Sequence, residues 1–156
     1  MFHAISYVLF ILPFTMWLGF ELQKKYSLRG HWLWILGAFT IGVIGDQFSN
    51  YYYGVGGNFF LHASGGSAAT LLYFYLTRTL KLQFNWRLNL ALLFAFVSSL
   101  GVINEIAEYV AELVGFGKYS YDTHDSWRDL VANTTGMLVT WVAVSIVKAV
   151  NKKLQD

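Results

Sequence analysis

The chain has 156 residues, of which 56% are hydrophobic and 13% charged, and it carries a formal net charge of +2. A soluble domain carries about 25% charged residues, so this chain lacks the charge to solvate a globular surface, and a membrane protein is expected. The 19% aromatic content excludes disorder, the scattered basic residues exclude a nucleic-acid-binding face, and the absence of cysteine excludes disulfide scaffolds, thiolate metal sites and cysteine nucleophiles.

Five apolar stretches are long enough to cross a hydrocarbon core, which takes about 20 helical residues; they run at 4–21, 32–50, 59–77, 88–113 and 127–147. None alternates with the period of two that a membrane barrel requires, so all read as helices. Pro13 predicts a kink in the first. That segment lacks the positive flank and small-residue cleavage site of a signal peptide and is expected to stay in the mature protein. The expected fold is all-α: one transmembrane domain over 1–156, a bundle of five spanning helices.

Lysine and arginine set the expected orientation, because basic residues favour the cytoplasmic side of a membrane. Lys24, Lys25, Arg29, Arg78, Lys81, Arg87, Lys148, Lys152 and Lys153 fall on one side, and only Lys118 and Arg128 on the other. The N-terminus is therefore expected outside and the C-terminus inside a cytoplasmic membrane. Trp32, Trp34, Trp86 and Trp127 stand at segment ends, where indoles anchor at the interface.

The acidic residues follow the opposite pattern. Asp46 and Asn50 lie near the outer end of the second segment, and His62 near the outer start of the third. Asn104, Glu105, Glu108 and Glu112 lie in the outer half of the fourth, and Asp129 and Asn133 in the first turns of the fifth. Four segments thus aim polar side chains at one level of the membrane. An ionisable group at a helix centre costs about 2.5–3.5 kcal/mol on insertion scales, so the clustering points to a site.

Asp46 with Asn50, Asn104 with Glu108 and Asp129 with Asn133 are i,i+4 pairs, and Glu105 with Glu108 is i,i+3, so each set shares one helix face. Two carboxylates one turn apart cannot both stay ionised cheaply: either a cation neutralises them or one holds a proton. Oxygen ligands suit Mg2+, Ca2+ or Mn2+, and His62 also admits zinc or iron. A retained proton instead suits a general acid or a proton carrier. The candidate metal ligands are Asp46, His62, Glu105, Glu108 and Asp129. Glu105, Glu108 and Asp129 are the candidate catalytic groups, with Asn50, Asn104 and Asn133 orienting them.

Plainer roles are available for several of these residues. Ser126-Trp127-Arg128-Asp129 fits a capping box, in which Asp129 does no more than start the fifth helix. Asp122 and Asp125 read as solvated loop residues, Glu112 as a partner for Arg128, and His62 as a packing histidine. The small residues Ala63, Ser64, Gly65, Gly66 and Ser67 read as helix contact surface. Gly115 and Gly117 would permit the loop 114–126 to act as a lid.

Several of these motifs resemble known families. Asp46-Gln47-Phe48-Ser49-Asn50, His62-Ala63-Ser64-Gly65-Gly66 and Glu105-Ile106-Ala107-Glu108-Tyr109 resemble the Asp-x-x-x-Asn, His-x-x-Gly-Gly and Glu-x-x-Glu-Trp signatures of YjdF-like bacterial membrane proteins, with Tyr for Trp in the last. Asp129 through Asn133 to Gly136 is similar to the Asp-x-x-x-Asn-x-x-Gly motif of the wider VanZ-like group. The resemblance spans residues 40–140; the acidic residue often found shortly before the family histidine is absent, Asn58 being the nearest polar residue. The resemblance implies a small polytopic protein without an assigned reaction, from a group linked to tolerance of glycopeptide antibiotics that act outside the membrane.

Three functions fit this reading. The first is a membrane-embedded hydrolase or transferase, assisted by a divalent metal, whose site opens to the outer leaflet and whose substrate is a lipid or lipid-linked envelope precursor. The second is a non-catalytic binding or regulatory protein whose polar cluster fixes helix register. The third is a proton-coupled carrier, which the lack of an inverted repeat disfavours.

Overall fold

The computed structural model describes residues 32–51, 55–115 and 124–153. Long apolar runs without proline form four α-helices there, and no strand is found among the described residues. They are α1 (Trp32–Tyr51), α2 (Val55–Thr79), α3 (Trp86–Leu113) and α4 (Asp125–Lys153). Their bounds lie within six residues of those of four of the five expected segments, and the remaining one, 4–21, falls outside the described residues.

At 1.5 Å per residue the four helices measure about 30–44 Å, enough to cross a hydrocarbon core. Two of them also contain a stretch apolar enough to be a span by composition: Trp86–Leu113 and Asp125–Asn151. Only 17% and 22% of their apolar windows are buried within the protein. A soluble core helix would be mostly buried, so the outward apolar faces, with Ile103, Ile106, Val139, Ile146 and Val147 more than half exposed or close to it, suit contact with lipid.

Helix ends follow local chemistry. Asn85 caps α3 by accepting the Leu88 amide at 2.9 Å. At the end of α2 the Leu82 amide donates to the Thr77 carbonyl and the Lys81 amide to that of Arg78, a Schellman closure that places Lys81 at φ 53. Gly115, at φ 80, occupies the same left-handed position after α3, where a glycine has no steric penalty.

Helix α2 is central and touches the other three. Its small residues explain how. Gly45 of α1 lies against Ser64, and Gly66 and Gly136 sit where α2 crosses α4: a Cβ on Gly66 would run into the Asn133 backbone, and one on Gly136 into the Ala63 carbonyl. Ser67 Oγ donates across that crossing to the Gly136 carbonyl at 3.1 Å. Hydroxyls along the helices, including Ser64, Thr70, Thr77 and Thr134, donate to carbonyls one turn back, which leaves few polar groups to face lipid.

The apolar core occupies the half of the bundle that holds the α2–α3 turn. Tyr73, Phe74, Leu93, Val97 and Met137 are buried together, with Phe96, Trp141 and Val144 packed around them. Tyr73 ties α2 to α3 by donating to Asn89 Oδ1 at 2.9 Å. The opposite half, where α2 and α4 begin and α3 ends, is held by polar contacts.

Candidate functional site

Three helix termini build this polar half. Asn58 and His62 stand one turn apart on one face of α2, Glu105 two turns before the end of α3, and Asp125 and Asp129 in the first turns of α4. Because α2 and α4 start at the same end and cross at Gly66 and Gly136, the α2 pair faces the α4 pair directly.

Asp129 is the centre of the arrangement, only 1% exposed. Its Oδ1 accepts from Asn58 Nδ2 at 2.8 Å, and its Oδ2 lies 3.3 Å from His62 Nε2. His62 is itself 6% exposed. A carboxylate oxygen of Glu105 completes a group in which one donor atom from each of His62, Glu105 and Asp129 lies within 4.8 Å of the others. Glu105 Oε1 is buried and accepts no hydrogen bond from the described residues. A buried acceptor left unmade costs about 1–3 kcal/mol, so this oxygen has room for a donor or cation that the described residues do not supply.

Asp125 forms the outer rim. Its Oδ1 takes Asn58 Nδ2 at 3.4 Å and Arg128 Nη2 at 3.3 Å, and the residue is 4% exposed. The expectation of a solvated loop position for Asp125 is thus corrected: α4 begins at this residue and folds its side chain onto α2. The capping-box role for Asp129 is corrected too. The first turn of α4 instead closes through the Arg128 amide on the His124 carbonyl, and the Asp129 side chain is committed to Asn58 and His62.

The remaining expected residues fall in three places. Glu108, one turn after Glu105, accepts from Asn104 Nδ2 at 2.7 Å and stands outside the three-residue group, with Asn104 exposed. Asn133, buried one turn below Asp129, fills the space between Gly65 and Gly101, whose added Cβ atoms would stand 3.4 and 3.1 Å from its amide. The backbones of Asp46 and Asn50 lie in α1 beyond the Gly45–Ser64 contact, while their side chains fall outside the described residues, as does most of the expected lid at 114–126.

Asn58 is the residue that sequence reasoning did not place in the site. Its i,i+4 spacing from His62 was the available signal. The donor set, one imidazole and two carboxylates, is one that divalent zinc, manganese or iron accepts, and its two negative charges match the charge of such an ion.

Neither the curated proteins nor the solved structures contain a match to this chain. A family model described as "Predicted membrane protein (DUF2238)" matches residues 1–149. With long, outward-apolar helices and nearly the whole chain matched, the protein belongs to this family of membrane proteins.

Proposed function

We propose that the chain is a single-domain, five-span protein of the cytoplasmic membrane, N-terminus outside and C-terminus inside, that binds a divalent metal near the outer leaflet. His62, Glu105 and Asp129 hold the ion, with Glu108 beside them and Asn104 and Asn133 as orienting groups; Asp46 as a further ligand and Asn50 as a further orienting group rest on the sequence alone. The observation that carries this reading is Glu105 Oε1, a buried acceptor without a partner among the described residues, beside a buried imidazole and a second carboxylate. The orientation rests on the basic residues: Arg78, Lys81, Arg87 and Lys148 belong to the end of the bundle opposite Asp125 and Asp129.

The substrate class follows from depth. At 1.5 Å per residue Asp129 lies about 6 Å and Glu105 about 12 Å inside the ends of their helices, and Trp127, 69% exposed, marks the interface beside them. Such a site meets the head-group linkages of lipids or lipid-linked envelope precursors. A bound divalent ion supplies activation of water or polarisation of a phosphoryl or acyl oxygen. His62, Glu105 and Asp129 would anchor it, and Glu108, held by Asn104, is placed to carry a proton. The motif resemblance to YjdF-like and VanZ-like proteins supports an envelope role.

A second reading is a structural network without chemistry, favoured by the closed bonding of Asp129 to both Asn58 and His62. Elemental analysis of detergent-purified protein beside Glu105→Gln and His62→Ala variants separates the two. About one divalent ion per chain, lost in both folded variants, is the expected result. Metal-free wild type after attempted reloading would reject the metal site and leave the structural network.

A further inference from the structure

Asn58 divides the two oxygens of Asp129 between two tasks. Its Nδ2 holds Oδ1 at 2.8 Å, and Oδ2 alone faces His62 Nε2, 3.3 Å away. Two donors each about 2.0–2.1 Å from one tetrahedral ion stand about 3.3–3.4 Å apart, so this nitrogen–oxygen pair already has the spacing of two zinc ligands. Calcium takes six to eight oxygens, often with both oxygens of one carboxylate, and magnesium prefers octahedral oxygen sites that retain water. Among the described residues this group offers one imidazole and two carboxylates, a poorer oxygen set than calcium or magnesium takes. One oxygen of Asp129 is turned to Asn58, and the Asp125 carboxylate accepts from Asn58 and Arg128.

We propose that Asn58 is a positioning residue that restricts Asp129 to a single ligand oxygen and thereby makes the His62–Glu105–Asp129 group selective for zinc-like ions over calcium and magnesium. This rests on the reading of that group as a metal site. Asn58 touches no ion; it acts through Asp129, from the same face of α2 that presents His62.

The test is equilibrium dialysis of wild type, Asn58→Ala and Asn58→Asp, purified in detergent without chelators and confirmed helical and monodisperse, against Zn2+, Mg2+ and Ca2+ separately. Wild type is expected to bind zinc at least 100-fold more tightly than calcium or magnesium. Removing a hydrogen-bond partner of a ligating side chain typically costs about 10–100-fold in metal affinity, and Asn58→Ala is expected to lose zinc affinity by that factor. Asn58→Asp, nearly isosteric, adds an oxygen ligand and is expected to narrow the zinc preference by raising calcium or magnesium binding. A purely structural asparagine would leave the ratio of ion affinities unchanged in both variants, and that result overturns the proposal while the site stands. Equal wild-type affinity for all three ions also overturns it, and wild type that binds none overturns the underlying site reading as well.

Discussion

Asn58 and Asp129 are 71 positions apart in the chain, yet the amide of one donates to the carboxylate of the other at 2.8 Å. This bond spans α2 and α4 at the end of the bundle where the polar groups gather. It depends on a close helix crossing about two turns below it, and that dependence is open to test.

The crossing itself is the first target. A Cβ on Gly136 or Gly66 meets backbone atoms of the facing helix, which cannot move aside as a flexible side chain does. Gly136→Ala and Gly66→Ala are each expected to destabilise the protein by about 1–3 kcal/mol or more, read as a lower unfolding midpoint in detergent. Gly56→Ala, where nothing lies within 4 Å of the new Cβ, is expected to be neutral or to stabilise by up to about 1 kcal/mol. Equal effects at the three glycines would contradict the close crossing.

Glu105 provides a stability test of the site. Replacing a buried, unpartnered acceptor by an apolar side chain removes its desolvation cost, so Glu105→Leu is expected to stabilise the metal-free protein by about 1–3 kcal/mol. The same variant is expected to lose any increase in unfolding temperature on adding zinc to wild type. A destabilised Glu105→Leu protein would mean that the carboxylate is satisfied within the bundle after all.

Membrane orientation can be read with single cysteines, because the chain has none of its own. Ser126→Cys lies beside the site and Lys81→Cys in the α2–α3 turn, at opposite ends of the bundle. In intact cells a membrane-impermeant maleimide is expected to label the first and to spare the second until the membrane is opened. The reverse pattern would place the site inside.

The apolar half should be separable from the polar one. Tyr73→Phe removes the bond to Asn89 Oδ1 and is expected to cost about 0.5–1.5 kcal/mol, while metal content stays as in wild type. Loss of metal in this variant would show the two halves to be coupled.

The positions of the four described helices were legible in the sequence because hydropathy is a local property: each apolar run declares its own length. His62, Glu105 and Asp129 were legible as candidates for the same reason, since an ionisable group within an apolar run is costly wherever the run packs. Their common level was legible as well, but not which of the candidates meet. Whether Asp129 caps its own helix or reaches another depends on a neighbour that only the tertiary structure supplies, and Asn58, an ordinary polar residue near a helix start, gains its role only from facing Asp129. That pairing is set by the α2–α4 crossing at Gly66 and Gly136, a contact between segments far apart in the chain. Periodicity fixes which residues share a face of one helix; only packing decides which faces meet.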